Sequence, residues 1–78
     1  MPDFAGEKIR ITPEIGCQLQ RAREKLNLTQ MQVAQAVDAS QPQIDQYEHG
    51  NLDMAVDRLF DLATLLNIQI QDLFKNES

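Results

Sequence analysis

An eleven-residue segment, Ser40 to Gly50, constrains this chain most, because both of its ends carry helix signals. Ser40 is a favourable N-cap residue, and Gln43 three positions later completes a capping-box pattern, in which each side chain satisfies a free backbone N–H group. Pro42 is tolerated in the first turn, where its missing N–H group has no intrahelical partner. Gly50 is able to adopt the left-handed conformation that ends many helices. The segment therefore predicts a short helix with defined ends.

This short helix has two different faces. Ile44 and Tyr47 lie three residues apart on one face and are predicted to point into a core. Gln41, Pro42 and Gln46 then point away from that core. Outward glutamines on a well-capped helix indicate a recognition surface, although exposed polar side chains are also common on helices that bind nothing.

The composition fits a single small helical domain. A chain of 78 residues buries only about 60% of its unfolded surface, so a partner subunit would add stability. The content of 42% hydrophobic and 5% aromatic residues, with three glycines, favours a compact all-helical protein over a disordered one.

Charge alone does not predict a nucleic-acid-binding protein. The net charge is −5, whereas such proteins usually carry a basic patch. The cations are clustered, however: Arg21, Arg23 and Lys25 lie in one short segment, with Lys8 and Arg10 upstream. This distribution is consistent with a local positive edge on an acidic protein.

Several other classes of protein are not indicated. The sequence contains no run of about 18 apolar residues that would span a membrane, and no apolar core of a signal peptide. The single cysteine, Cys17, has no partner for an internal disulfide, and no cluster of Cys and His suggests a metal site. We therefore expect a cytoplasmic protein that uses no metal and no cofactor.

Two more helices are predicted before the Ser40 segment. Helix 1 begins with the start signal Thr12-Pro13-Glu14, and its apolar stripe consists of Ile15, Leu19, Ala22 and Leu26. Helix 2 begins with a capping box from Thr29 to Gln32, and its buried face consists of Val33, Ala34 and Val37. Only residues 38–40 separate helix 2 from the next helix, so the two must cross steeply. This is helix-turn-helix geometry, with the Ser40 segment as helix 3.

The two ends of the chain flank these helices. Residues 1–11 lack a helical period and are predicted to be an N-terminal arm, either a disordered tail or a strand that pairs with a second subunit. Asp53 is predicted to cap helix 4, whose apolar stripe consists of Val56, Leu59, Phe60, Ala63 and Leu66. Asn67 is predicted to end helix 4, and a short helix 5 covers residues 71–74. Leu73 and Phe74 lie near the terminus, where we expect either a dimer contact or packing onto helix 1.

The motif residues of these helices resemble those of a known family in order and spacing. They are Ile15, Gly16, Leu19, Arg23, Leu28, Thr29, Gln30, Val33, Ala34, Ser40, Gln41, Ile44, Glu48, Gly50, Leu62 and Ala63. The pattern is similar to that of the phage-repressor helix-turn-helix family, also called the Cro/cI or xenobiotic-response-element family. The resemblance runs from Ile15 to Phe74. It implies an all-α, five-helix, lambda-repressor-like DNA-binding domain over residues 12–78, with the helix-turn-helix at helices 2 and 3.

The resemblance also implies roles for individual residues. Proteins of this family place helix 3 in the major groove and bind two-fold operators as dimers. Base contacts are then expected from Gln41, Pro42 and Gln46, and glutamine is able to pair with N6 and N7 of adenine. Contacts to the DNA backbone, many of which need no formal charge, are expected from Thr29, Gln30, Ser40, Gln43 and Arg21. Arg23 and Glu48 match a structural ion pair of the family.

Some residues depart from the family pattern. Asp38 and Asn67 stand where glycine is usual, and both residue types tolerate a positive φ. Asp45 stands where serine is common and puts a carboxylate beside the expected DNA. Gln20, His49, Asn51 and Leu52 occupy positions where basic residues are frequent. We therefore expect DNA binding that is weak for one monomer, relies on dimerisation and depends little on salt.

The main hypothesis is a sequence-specific transcriptional regulator, a repressor, that binds a double-stranded operator as a homodimer. One alternative is an antitoxin that binds a toxin protein and represses its own operon, because the segment from Leu52 to Leu59 is similar to antitoxin-like members of the family. Another alternative keeps the fold but uses the acidic surface for a protein ligand. Enzyme activity is not expected, because the only histidine, His49, has no Ser or Cys nucleophile near it in sequence.

Overall fold

The computed structural model describes residues 6–74, which form five helices and one two-stranded antiparallel sheet. In chain order the elements are β1 (Lys8–Ile11), α1 (Pro13–Lys25), α2 (Gln30–Ala36), α3 (Gln41–His49), β2 (Leu52–Ala55), α4 (Val56–Leu66) and α5 (Ile70–Leu73). The predicted five-helix architecture is confirmed, and β2 is an addition to it.

Local capping bonds set the starts of the first two helices. At α1, Thr12 Oγ1 accepts the backbone N–H of Ile15 at 3.2 Å. At α2, Thr29 and Gln32 form the complete capping box: Thr29 Oγ1 accepts from Gln32 N at 3.0 Å, and Gln32 Oε1 accepts from Thr29 N at 2.8 Å. Each bond satisfies an N–H group that has no partner inside the helix. Both predicted start positions are therefore confirmed.

The segment 8–11 is a strand of this domain. It pairs with β2 in an antiparallel register that places Ile11 opposite Leu52. Ile11 is 0% exposed and Met54 of β2 is 1% exposed, so the inner face of the sheet belongs to the core. The strand partner lies in the same chain and not in a second subunit, and the disordered-tail interpretation is wrong for this segment. Residues 1–5 of the predicted arm lie outside the described residues.

The second strand also corrects the predicted start of helix 4. α4 begins at Val56, and its N-cap residue is Ala55, which makes no side-chain capping bond. Asp53 instead lies in β2 opposite Arg10 of β1, and its carboxylate is 3.5 Å from the Arg10 guanidinium. The sheet hydrogen bonds hold this segment extended, and that long-range pairing overrides the local capping signal of Asp53.

A hydrophobic core joins the helices to the sheet. Its buried side chains are Ile11, Ile15, Leu19, Val33, Ala34, Val37, Ile44, Tyr47, Met54, Leu59, Leu62, Leu66 and Leu73. Two predicted core residues, Leu26 and Phe60, are each 43% exposed. Leu26 is exposed because it follows Lys25, the last residue of α1. The inward face of α4 instead includes Leu62, which the predicted stripe omitted.

The backbones of α1 and α3 approach each other closely at Gly16. A Cβ atom at this position would lie 2.5 Å from Glu48 O and 2.6 Å from Tyr47 O. These distances are too short for carbon and oxygen atoms in contact, so only glycine lets the two helices pack this closely. α1 thereby supports the buried side of α3.

The C-terminal helix packs back onto α1. Gln18 Nε2 donates a hydrogen bond to Leu73 O at 3.3 Å, and the Leu73 side chain is 2% exposed. The prediction of Leu73 as a dimer contact is therefore wrong for this fold, because the core leaves it no free surface. Phe74 is 43% exposed and stays a candidate for that role. Residues 75–78 lie outside the described part of the chain.

Candidate nucleic-acid interface

The turn at residues 38–40 fixes the direction of α3 relative to α2. Asp38 adopts a positive φ of 58°, which Asp tolerates better than most residues. The N–H group of Ala39 donates back to a carbonyl of α2 at 2.8 Å. Ser40 then starts α3, and its Oγ accepts the N–H of Gln43 at 3.3 Å. Cap and backbone bonds on both sides of the turn therefore hold α3 in one orientation.

The two faces of α3 differ as the sequence predicts. Ile44 is 2% exposed and Tyr47 is 5% exposed, and both point into the core. The outward residues Gln41, Pro42 and Gln46 are all exposed. A helix with one buried face offers its other face as a rigid surface.

One residue of α2, Gln30, links the exposed face of α3 to its buried face. Gln30 Nε2 donates to Asp45 Oδ1 at 3.1 Å and to Glu48 Oε1 at 2.9 Å. Its Oε1 atom accepts a hydrogen bond from Gln41 Nε2 at 3.2 Å. The carboxamide of Gln41 is thus held through one N–H group, which leaves its carbonyl oxygen and its second N–H group free. An adenine edge matches that combination, since its N6 amino group donates and its N7 accepts.

Glu48 holds Gln30 in place because the Glu48 carboxylate is itself held by Arg23 of α1. Arg23 Nε lies 2.6 Å from Glu48 Oε2, and Arg23 Nη2 lies 3.3 Å from Glu48 Oε1. The remaining Arg23 nitrogen, Nη1, donates to Leu28 O at 2.8 Å. The side chains of Arg23 and Glu48 are only 12% and 6% exposed, so neither is free to contact a ligand. The pair connects α1 to α3 and, through Gln30, supports Gln41.

Hydroxyl groups stand at the starts of α2 and α3. The Thr29 and Ser40 hydroxyls each accept a backbone N–H group, and each keeps its own proton free to donate. Gln43 adds an exposed amide in the first turn of α3. These three neutral donors are of the kind that contacts phosphate oxygens in protein–DNA complexes.

A carboxylate and an imidazole lie side by side towards the end of α3. His49 Nδ1 is 2.8 Å from Asp45 O and 3.6 Å from Asp45 Oδ2. The hydrogen bond to the Asp45 carbonyl, and then the nearby Asp45 carboxylate, raise the pKa of His49 above its ordinary value. The His49 and Asp45 side chains are 76% and 51% exposed, so both are accessible from solvent.

A helix-turn-helix family model, HTH_3, matches residues 19–73, which include the whole network from Arg23 to Glu48. The chain belongs to the Cro/cI-type helix-turn-helix family. This is a family of DNA-binding transcriptional regulators, and the chain is one of them. The structure is also similar to the crystal structure of the clp gene regulator ClgR from C. glutamicum, with a TM-score of 0.74, 18% sequence identity and 85% of each chain covered. That match shows a shared fold. No curated protein sequence gives a significant match.

In this Cro/cI-type domain, Arg21 is set apart from the other residues with expected DNA roles. Gly16 and Arg23 face α3, and Arg21 lies about 140° around α1 from Gly16 at 3.6 residues per turn. Its side chain lines a groove with Lys25 of the same helix and Asn67 after α4. We therefore expect Arg21 not to contact a duplex that is bound on α3.

Among the described residues of this Cro/cI-type domain, α2 and α3 carry no basic side chain other than His49. Residues 26–57 contain no lysine or arginine. The α1 cation nearest to α3, Arg23, is held by Glu48 and Leu28 O. Arg10 of β1 lies beside Asp53. If the face formed by α2 and α3 binds DNA, its contacts must therefore come mainly from neutral donors.

Sequence patterns identified the outward glutamines but missed two features of the site. The hydrogen bond from Gln41 to Gln30 was not predicted, because it depends on the distance between the first turns of two helices. Asp45 was predicted only as an unfavourable charge, although its spacing of four residues from Gln41 places both on one helical face. That spacing was the available signal for a shared role.

Residues 6–74 give no support for a metal site or for a membrane-spanning helix. Within that range no group of His, Cys, Asp or Glu is arranged to hold a metal ion. None of the described helices is long and apolar enough to cross a membrane.

Proposed function

We propose that this protein is a sequence-specific transcriptional repressor that binds a two-fold DNA operator as a homodimer, with α3 in the major groove. The observation that carries the proposal is the outward face of α3, where Gln41, Pro42 and Gln46 are exposed and Gln41 is held by Gln30 at 3.2 Å. A regulator that occupies its operator excludes other proteins from that DNA, and repression is the direct consequence.

The chemistry of the face favours discrimination between sequences over strong general attraction. Each well-placed glutamine–adenine pair contributes roughly 1–3 kcal/mol of discrimination. General attraction to phosphates comes from lysine and arginine, and residues 26–57 have neither. Two identical half-site contacts are then needed for tight binding, and a two-fold dimer supplies them about one helical turn apart.

Selection of bound duplexes from random DNA at low salt tests the proposal. The wild type is expected to enrich a two-fold motif that contains adenine. Gln41→Ala and Gln46→Ala are each expected to bind the selected DNA, but to lose the preference for the base that the replaced glutamine contacts. Gln71→Ala removes another exposed glutamine, on α5, and serves as the matched control, with the wild-type motif expected.

The same experiment separates the proposal from a protein-binding function. If the wild type and the three variants all enrich no motif, specific DNA binding is refuted. Co-purification of a stable protein partner would then favour the antitoxin alternative or a protein ligand on the acidic surface.

The dimer contact is proposed to include Phe74, which is 43% exposed at the end of α5. Phe74→Ser is expected to weaken binding to the two-fold operator and to leave binding to an isolated half-site unchanged. Leu26→Ser is a matched control, because Leu26 is also 43% exposed. Sedimentation with and without operator DNA measures the assembly directly, and an equal effect of both variants would contradict a contact at Phe74.

A further inference from the structure

The exposed face of α3 carries a carboxylate beside its glutamines. We propose that Asp45 accepts a hydrogen bond from the N4 amino group of cytosine, and thereby selects a C·G pair within about two base pairs of the adenine contacted by Gln41. This inference rests on the proposed function and adds a base preference that the glutamines do not supply.

The spacing of Asp45 and Gln41 places both within reach of neighbouring bases. They are four residues apart in α3, so their Cβ atoms lie on one helical face about 5–6 Å apart. Successive bases along one strand are separated by about 3.4 Å. Two side chains at this separation therefore address bases that are one or two steps apart.

The Asp45 carboxylate is held in place by the residue that also holds Gln41. Gln30 Nε2 donates to Asp45 Oδ1 at 3.1 Å, and Gln30 Oε1 accepts from Gln41 Nε2 at 3.2 Å. The Asp45 side chain is 51% exposed, and a carboxylate has about four lone-pair sites. The donor from Gln30 orients Oδ1, and His49 Nδ1 lies 3.6 Å from Oδ2. These two neighbours do not occupy all of the lone-pair sites, so the carboxylate keeps acceptor capacity for a base.

The chemistry of an ionised carboxylate selects cytosine among the major-groove edges. It only accepts hydrogen bonds, and cytosine presents the N4 amino donor. Guanine presents O6 and N7 and thymine presents O4, and these acceptors repel a carboxylate. Adenine has an amino donor, but its N7 acceptor lies beside it. Asp45 therefore favours cytosine and disfavours the other three bases.

The Asp45→Asn variant separates base selection by the Asp45 carboxylate from the hydrogen bond that Asp45 accepts from Gln30. An asparagine carbonyl still accepts the hydrogen bond from Gln30, but the charge is removed and an amide donor is added. Asp57→Asn is the matched control, because it removes an exposed carboxylate from α4 with the same change in net charge.

The decisive experiment measures binding of the selected operator with cytosine, 5-methylcytosine or thymine at the predicted position. 5-Methylcytosine keeps the amino donor and adds the methyl group of thymine, so it isolates the effect of N4. Wild type and Asp57→Asn are expected to bind the two cytosine duplexes equally and the thymine duplex about tenfold more weakly. Asp45→Asn is expected to lose most of that difference while circular dichroism shows an unchanged fold.

Three results would overturn the inference. One is a selected motif without C·G near the adenine. A second is a wild-type protein that binds the cytosine and thymine duplexes equally, which can be measured even if Asp45→Asn fails to fold. The third is an Asp45→Asn variant that binds every duplex more tightly with an unchanged ratio, which would make Asp45 a repulsive charge only. The proposed function survives all three, whereas a wild type that enriches no motif refutes both.

Discussion

Replacement of Arg23 tests how the Arg23–Glu48 pair supports the proposed DNA-binding face of α3. Arg23→Met removes three hydrogen bonds, at 2.6, 3.3 and 2.8 Å. It leaves the Glu48 carboxylate, 6% exposed, without its cation. Removal of one partner of a buried ion pair costs about 3–5 kcal/mol. At about 0.05–0.15 kcal/mol per residue for total stability, that loss is a large fraction of what a chain of this length has.

A double variant separates stability from DNA selectivity. Arg23→Met with Glu48→Leu replaces the pair by apolar side chains, and such replacements are often neutral or stabilising by about 1–4 kcal/mol. The same change removes the Glu48 oxygen that accepts from Gln30 at 2.9 Å, and so loosens the residue that holds Gln41. We therefore expect a double variant that is well folded but has a weaker preference for adenine.

Urea unfolding followed by far-ultraviolet circular dichroism measures the stability, and operator binding measures the preference. Arg21→Met on the exposed side of α1 is the control, with an expected change within about 0.5 kcal/mol. A loss below about 1 kcal/mol for Arg23→Met would refute the buried-pair argument. A double variant that keeps the full adenine preference would refute the coupling through Gln30.

Three further predictions follow from the packing and the charges. Gly16→Ala is expected to lower the unfolding free energy by about 1–3 kcal/mol, because the new Cβ atom would lie 2.5 Å from Glu48 O; a thermal melt close to that of the wild type would contradict this. The Asp45 carbonyl and carboxylate raise the pKa of His49. The stabilisation of the folded state by protonated His49 is therefore complete below the unfolded-state pKa near 6.5, and it is lost as the pH rises through the higher folded-state pKa. Chemical unfolding at a series of pH values should therefore show the stability advantage of wild type over His49→Gln decreasing as the pH rises, and an increase would refute this. Arg21→Ala is expected to leave the salt dependence of operator binding unchanged, whereas loss of a phosphate contact would flatten the slope by about 0.9 per protomer.

The starts of α1, α2 and α3 were predictable because their signals are local. Thr12, Thr29 and Ser40 each cap the N–H group three residues later, and such bonds require only the sequence of one turn. The end of α4 follows the same logic, since Asn67 adopts a φ of 59°. At these four helix ends, the local capping signal specifies the boundary without help from distant residues.

The sheet could not be predicted in this way, because its hydrogen bonds join segments that are distant in sequence. Asp53 has the chemistry of an N-cap residue, and nothing within one turn of it indicates that Arg10 lies opposite. The burial of Leu73 likewise depends on where α5 meets α1, which the four residues of α5 do not determine. Long-range packing decided both positions.

For the site, periodicity predicted which side chains point outward but not how they are held. The exposure of Gln41 and Gln46 follows from the buried positions of Ile44 and Tyr47, which is a property of one helix. The bond from Gln41 to Gln30 depends on the crossing of two helices. The pattern therefore predicted the chemical groups of the face, and the fold determined their preorganisation.

The distribution of charge explains how an acidic protein can still discriminate between DNA sequences. Non-specific affinity comes mainly from cations that displace counterions from phosphates, and here Arg23 is held by Glu48 and Arg10 lies beside Asp53. The proposed DNA-binding face offers amides, hydroxyls and one carboxylate, whose interactions depend on the position of each base-edge donor and acceptor. Weak general attraction lowers the affinity for the many competing sites in a genome, and the ratio of specific to non-specific binding determines occupancy of the operator. The negative net charge is therefore compatible with selective DNA binding, because in the proposed dimer two half-sites recognised together would supply the affinity that one protomer lacks.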